Sequence, residues 1–130
     1  MAPEMKAIVE AARHGDWSPL LDAASGAPGK HWAEDARCAG RDTNQFFPGS
    51  DTPWMSSAEV RRRFGVALNR PLNVCADCPL AVAARCLVEA LRQDARYGIR
   101  GGLLASDRSA LHHAWKQRRQ FADTNRLRAA

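Results

Sequence analysis

The segment CADCPLAVAARC, residues 75–86, constrains this chain more than any other stretch. It has two residues between Cys75 and Cys78 and seven between Cys78 and Cys86, while the remaining cysteine, Cys38, lies far upstream. A C-x2-C pair lets two thiolates converge, because the turn between them brings both sulfurs to one side. Four thiolates suit tetrahedral zinc or the corners of an iron–sulfur cluster. The spacing therefore predicts a metal centre ligated by Cys38, Cys75, Cys78 and Cys86.

The same four cysteines allow other interpretations. The N-terminus has no apolar run of the length that a signal peptide or a transmembrane segment needs, so we expect a cytoplasmic protein away from membranes, where structural disulfides are rare. Cys75 and Cys78 could serve a thiol–disulfide oxidoreductase, but no βαβ pattern accompanies them. Cys38 and Cys86 have alanine or leucine neighbours and could be small buried hydrophobes. A zinc-stapled nucleic-acid-binding module remains the main rival of an iron–sulfur protein.

Geometry places a condition on shared ligation. Cys86 is eight positions after Cys78, so in one continuous helix the two residues would lie about 12 Å apart along the axis. That distance is too long for two ligands of one compact centre. We therefore expect Cys78 to precede the regular helix and Cys86 to lie one to two turns inside it. The presence of one C-x2-C pair, where zinc ribbons usually have two, favours the cluster over zinc.

The pattern of apolar residues predicts an all-α fold, a small bundle of about four helices organised around the cluster. Residues 1–30 contain one short Ala-rich helix and two turn-rich breaks, and they predict a flexible, loosely attached extension. Residues 31–106 form the predicted core, and residues 107–130 a C-terminal helix and tail. Helices are expected at 32–41, 56–68 with a Ser56–Glu59 capping box, 80–96, and from an N-cap at Ser106 to about 120.

The net charge of +5 lies entirely at the C-terminal end. Residues 1–107 have equal numbers of basic and acidic side chains, whereas residues 108–130 have six basic side chains against Asp123 alone. A basic tail on a neutral body suggests attraction to nucleic acid, although it could simply aid solubility. Without an R-G-R-P hook, we expect mainly phosphate contacts. The candidate DNA-binding residues are Lys116, Arg118, Arg119, Arg126 and Arg128.

Five motifs in order resemble those of the WhiB-like family. They are W-x5-C from Trp32, D-x3-FFP from Asp42, C-x2-C-P from Cys75, C-L-x2-A-L from Cys86 and G-I-x-G-G from Gly98. Any one of them is weak, but five in register are specific, and they cover about residues 32–119. Members of this family are small transcription factors, so the resemblance implies a regulator of transcription and not an enzyme.

The resemblance also implies a cofactor and partners. The four cysteines would bind a [4Fe–4S] cluster that responds to oxygen or nitric oxide. The chain, monomeric on its own, would dock on region 4 of the primary sigma factor in RNA polymerase, and its tail would contact promoter DNA. The residues that match the family's sigma-contacting positions are Trp32, Phe46, Phe47, Pro48, Gly98, Ile99, Arg100, Gly101 and Gly102.

Three departures from the family pattern stand out. Seven residues, where the family has five, separate Cys78 from Cys86. Arg100 occupies the position of a tryptophan, an anchor of the kind that dominates protein interfaces, so sigma binding should be weaker or use a different subsite. The segment between Pro48 and Cys75 is longer than usual and carries its own predicted helix.

Several candidate residues also have an ordinary structural interpretation. Phe46 and Phe47 could both fold into the local core, but adjacent side chains in extended backbone point in opposite directions, which leaves one ring for a partner. The glycine turn could be a simple connector, or it could let the backbone approach the cluster or another surface. Trp115 is expected in the core with Leu111. His112 and His113 would be ligands only if the cysteines were not.

Overall fold

The protein is helical throughout the residues that the structure, a computed structural model, describes: 2–40, 43–48 and 51–129. Five α-helices follow one another along the chain, α1 (Pro3–Arg13), α2 (Ser18–Ala24), α3 (Ser57–Ala76), α4 (Leu80–Arg92) and α5 (Ala105–Ala129). Two short 3-10 helices, Trp32–Asp35 and Thr43–Phe46, lie between α2 and α3. Within the described ranges no strand is formed, and one isolated bridge joins Arg100 to Leu103. The all-α prediction is confirmed.

Helix α4 lies at the centre of the fold. Its sequence LAVAARCLVEALR buries an apolar face against α1, α2 and α5. The small side chains of Ala83 and Ala84 on this face let neighbouring segments approach closely. Helix α4 ends at Arg92, before the predicted residue 96, because Asp94 adopts a left-handed backbone conformation with φ 55°.

The N-terminal helices belong to the core, and the prediction of a loosely attached extension is wrong. Met5, Ile8, Val9 and Ala12 form one apolar stripe at the spacing of a helix face, and all four are buried. Trp17, at the start of α2, meets Trp115 of α5 edge to face, with ring centroids 5.2 Å apart. The turn residues between the two short helices suggested detachment, but each helix has enough apolar surface to pack against α4.

Helix α3 extends beyond its predicted end at Leu68. Ser56 is the N-cap, and its hydroxyl accepts a hydrogen bond from the Glu59 N–H at 3.2 Å, which is half of the predicted capping box. The Glu59 carboxylate pairs with Arg62 and Arg63 instead of closing the box. The helix is kinked at Phe64 and continues through Pro71, whose missing N–H costs one hydrogen bond. Its inner face packs into a second core cluster with Phe46, Ile99 and Leu104. As a result, α3 carries Cys75 in its last turn.

Two further predicted boundaries differ from the structure. A 3-10 turn replaces the helix expected over 32–41, so Cys38 lies in a turn after it. Helix α5 begins at Ala105, and its cap is the buried carboxylate of Asp51, which accepts hydrogen bonds from the N–H groups of Ala105 and Ser106 and from the Ser106 hydroxyl. Ser106 is therefore not the N-cap. Leu111 and Trp115 face the core as predicted.

A search of the described helices finds none with the length and apolar character that a membrane crossing requires.

The packing of the N-terminal helices can be tested with Trp17→Ala. Loss of a buried tryptophan ring should lower the free energy of unfolding by about 3–5 kcal/mol. The matched control is Val66→Ala, since 89% of the Val66 side chain is exposed and its loss should have little effect. Urea unfolding followed by circular dichroism measures both. Equal, small effects would contradict the observed packing of α2 against α5.

Candidate metal centre

The four cysteines, from distant parts of the sequence, line one cavity of about 200 Å³. Cys38 lies in the turn after the first 3-10 helix, Cys75 in the last turn of α3, and Cys78 in the bend before α4. Cys86 lies within α4, and all four are free thiols. The structure thus brings together the residues that the spacing of cysteines singled out.

The predicted condition on Cys78 and Cys86 is met. Asp77, Cys78 and Pro79 are not helical, and α4 begins at Leu80, so Cys86 lies between one and two turns inside the helix. Val82 and Ala83, one turn before Cys86, line the same cavity. The seven-residue gap therefore leaves Cys86 facing the other cysteines.

Backbone N–H groups point at three of the sulfurs. The N–H of Arg37 donates to Cys78 Sγ at 3.3 Å. The N–H groups of Gly102 and Gly101 hydrogen-bond to Cys75 and Cys86, and each of these bonds favours the thiolate and lowers the pKa of its cysteine. Such donors stabilise negative charge on sulfur, as a thiolate ligand requires.

Burial nevertheless keeps the thiols of Cys75 and Cys86 protonated when no cation is near. Burial, together with repulsion from the neighbouring Cys78 and Cys86 sulfurs, raises the pKa of Cys75 to about 12. Burial also raises the pKa of Cys86, against the opposing effects of the Gly101 N–H and the Arg100 charge. At neutral pH these two buried thiols ionise only beside a positive group. The donor set therefore fits a metal centre.

The spacing of the ligands bears on which metal group fits. Among the described residues, no three His, Cys, Asp or Glu side chains lie close enough together to hold one metal ion. The four sulfurs instead surround a cavity. A single zinc ion needs all its ligands within about 2.3 Å of one point, whereas in a cluster different sulfurs bind different irons.

The glycine turn, residues 98–102, forms one wall of the cavity through Ile99, Arg100 and Gly101. Gly98, Gly101 and Gly102 all have positive φ angles. A Cβ atom on Gly101 would lie 2.9 Å from the carbonyl oxygen of Ala83 and 3.1 Å from Leu87 Cβ, so the turn approaches α4 as closely as glycine permits. This contact brings the Gly101 N–H to Cys86.

Arg108 holds the glycine turn in place from α5. Its fully buried guanidinium donates hydrogen bonds to the carbonyl oxygens of four residues, Ala95, Tyr97, Gly98 and Leu103. Burial lowers its pKa to about 10, so the group stays charged at neutral pH. In the sequence Arg108 is one of the six basic residues of segment 108–130, and no distinctive pattern there predicts this buried role.

Phe46 and Phe47 point in different directions, as expected for adjacent residues. Phe46 is buried in the second core cluster, and its carbonyl oxygen accepts a hydrogen bond from the Ile99 N–H at 2.7 Å. The Phe47 ring lies against Gly98, yet 51% of the residue is exposed. Both rings line the cysteine cavity. Phe47 is thus the ring that a partner could reach.

The other predicted contact residues lie nearby or further out. Trp32 is half-buried beneath the Arg85 guanidinium, 5.6 Å from its ring centroid, and Pro48 is also half-buried. On α5, Lys116 Nζ lies 3.7 Å from Asp94, and the Arg118 guanidinium lies over the Trp115 ring. Asp42 and the side chains of Arg119, Arg126 and Arg128 fall outside the described part of the chain.

The histidines do not join the cysteine site. His112 is buried, and its Nε2 lies 3.0 Å from the Ala95 carbonyl oxygen. Burial lowers the pKa of His112, which keeps the ring neutral. His113 lies on the far side of α5, in an open groove with Lys116 and Arg96. Trp54 and Tyr97 form an exposed aromatic pair that was not predicted from the sequence, and their ring centroids are 6.4 Å apart.

Gly101→Ala tests the close approach of the turn to α4. Gly15→Ala is the matched control, because Gly15 also has a positive φ but nothing within 4 Å of an added Cβ. We expect Gly101→Ala to lower the free energy of unfolding by about 1–3 kcal/mol more than the control, since the new methyl group overlaps Ala83. Denaturant unfolding measures the difference. Equal losses would mean that only the backbone conformation matters.

Comparison with known protein families matches residues 32–111 to the family described as Transcription factor WhiB. Comparison with curated proteins and with solved structures gives no match. The matched range includes the four cysteines, the FFP loop and the glycine turn, and it leaves α1 and α2 outside. The chain belongs to the WhiB family of transcription factors.

Proposed function

We propose that this transcription regulator holds a [4Fe–4S] cluster on Cys38, Cys75, Cys78 and Cys86. The observation that carries the proposal is the cavity of about 200 Å³ that all four cysteines line. Among the described residues, no set of ligands converges on a single ion. When bound, such a cluster supplies one-electron redox chemistry and reactivity toward oxygen or nitric oxide. The chain's own N–H groups at Arg37, Gly101 and Gly102 hold the thiolates in place.

The alternatives fit the site less well. Zinc would need the sulfurs to move closer to a common point. An oxidoreductase needs a reactive thiolate of low pKa, and burial raises the pKa of Cys75 to about 12. A transcription-factor family likewise gives no support to catalysis.

We propose further that the cluster side of the molecule docks on region 4 of the primary sigma factor, in the cytoplasm. In the glycine turn Arg100 and Gly102 are half-buried, whereas Gly98, Ile99 and Gly101 are buried. Phe47 is exposed beside the cysteine cavity, and Trp32 is half-buried after α2. Aromatic side chains of this kind anchor protein interfaces. Arg100 lines the cavity where the family has tryptophan, so we expect it to weaken docking or to pair with an acidic side chain on the partner.

The C-terminal end of α5 would contact promoter DNA through Lys116, Arg118, Arg119, Arg126 and Arg128. Salt-dependent phosphate contacts account for such binding, because each neutralised phosphate releases counterions. Trp115 belongs to the core with Trp17, so a truncation that tests the tail has to begin after Arg118.

The cluster proposal predicts a brown protein after anaerobic reconstitution with iron and sulfide, with absorption in the blue part of the visible spectrum. Each of the four Cys→Ser substitutions should lower the bound iron and sulfide by most of their amount. Trp54→Ala, which removes an exposed ring outside the cavity lining, should leave them unchanged. A colourless protein with one bound zinc would overturn the cluster and support the zinc module.

The docking proposal predicts that Phe47→Ala weakens binding to purified sigma region 4 by about tenfold or more, as loss of an interface anchor does. Val66→Ala, an exposed apolar residue of α3, is the control and should bind normally. Arg100→Trp should bind more tightly than the natural sequence. Binding of reconstituted protein is measured by pull-down and calorimetry. Unchanged affinity in Phe47→Ala would place the sigma contact elsewhere.

A further inference from the structure

Helix α3 presents two faces of different character. Val60, Leu68, Pro71 and Val74 are buried on its inner face. The outer face exposes Val66, Asn69, Arg70 and Asn73, which follow one another at intervals of three and four residues and therefore form one stripe. Val66 is 89% exposed, the highest value among the large apolar side chains described as exposed. Because these four side chains are exposed, the packing of the core does not determine which residues occupy the stripe.

The charge of α3 favours a polyanion. The helix contains four arginines and one glutamate, Glu59. Arg61 is held on the α5 side by a bidentate pair with Asp107. Arg62 and Arg63 pair with Glu59 at the solvent surface, where such pairs contribute little to stability, so they can exchange partners. Arg70 adds a further positive charge in the middle of the stripe.

The polar side chains of the stripe are not engaged within the protein. Across the described residues, Asn69, Arg70 and Asn73 make no side-chain hydrogen bond or ion pair. Together with Val66 they line an open groove of about 810 Å³ between α3 and the turn that follows the first 3-10 helix. Arg37 and Asp77 also line this groove. Among the described residues that line it, Asp77 is the one that is acidic.

We propose that the outer face of α3 enters the major groove of duplex DNA and reads base edges there. The major groove admits an α-helix, and the stripe carries the groups that read it: amides for adenine, a guanidinium for guanine and an apolar group for the thymine methyl. Seven residues of helix span about 10.5 Å, roughly three base pairs. Arg62, one turn before Val66, would reach a phosphate.

Duplex DNA fits this face better than a protein partner does. Protein interfaces rely on buried aromatic anchors, and no aromatic side chain lies on the stripe. Among the side chains that the structure describes, the exposed aromatic ones are Phe47, Trp54 and Tyr97, which lie in the loop before α3 and beside the glycine turn. The inference deepens the proposed function, since it rests on a role at DNA, but it assigns sequence reading to α3 and general phosphate attraction to the tail.

The test uses the full reconstituted chain and a pool of 30-base-pair duplexes with random central sequence, enriched by repeated selection. The natural chain should enrich a short preferred motif. Asn69→Ala/Arg70→Ala/Asn73→Ala should lose that preference and bind the selected duplex about tenfold or more weakly, because base contacts are removed. Arg70→Lys keeps the charge without the planar fork and should also lose discrimination at one base pair.

Two controls separate the possible failures. Arg92→Ala/Gln93→Ala removes one charge and one amide from the exposed end of α4 and should behave like the natural chain. A chain that ends at Arg118 should weaken binding to all duplexes alike and keep the preference. If only the truncation acts, the tail binds DNA and the α3 inference is overturned. If neither acts, the proposed DNA contact itself fails. If the triple variant loses sigma region 4 while its DNA preference is unchanged, α3 is a protein-docking face and the inference is again overturned.

Discussion

Four sulfur atoms are gathered in one cavity at the centre of the structure, and two of them, in Cys75 and Cys86, are buried thiols that ionise at neutral pH only beside a compensating positive charge. Two hydrophobic clusters meet at this point. Cys78 packs against the cluster formed by α1, α2, α4 and α5, and Cys75 against the cluster formed by α3, Phe46 and the glycine turn. A metal centre bound by both cysteines would therefore tie the two halves of a small, alanine-rich core together, and its binding energy would add to the stability of the fold.

The glycine turn couples this centre to α5. Its N–H groups reach the sulfurs of Cys75 and Cys86, and its carbonyl groups are held by the buried guanidinium of Arg108, in the first turn of α5. Asp51, in the loop before α3, accepts a hydrogen bond from the N–H of Ala105 at the start of α5. Asp107, in the first turn of α5, pairs with Arg61 of α3. A change at the sulfurs thus has a continuous hydrogen-bonded path to the helix that carries the basic tail.

Local chemistry made much of this site predictable from the sequence. The C-x2-C pair, the geometric condition on Cys86, the opposed directions of Phe46 and Phe47, and the close approach of the glycine turn all depend on residues near one another in the chain. Long-range partners were not predictable. Asp51 caps a helix 54 residues away, and Arg108 looks like one more basic residue of the tail until its four carbonyl partners are seen. Pro71 also concealed the true end of α3, because the sequence does not show that a kinked helix can continue past it.

The N-terminal helices lie outside the part of the chain that matches the family, yet they help to close its centre. The start of α1, at Ala2, Glu4 and Met5, lies beside Cys75 and Cys78 on a small cavity of about 80 Å³ behind the sulfur site. The packing of Trp17 on Trp115 fixes α2 to α5 in turn.

The charge of the chain is divided in a similar way. Acidic side chains outnumber basic ones over residues 1–36, and basic ones prevail in the rest of the chain, where α3 carries four arginines. The N-terminal helices thus cover one side of the sulfur site, and the arginines that suit DNA begin with α3.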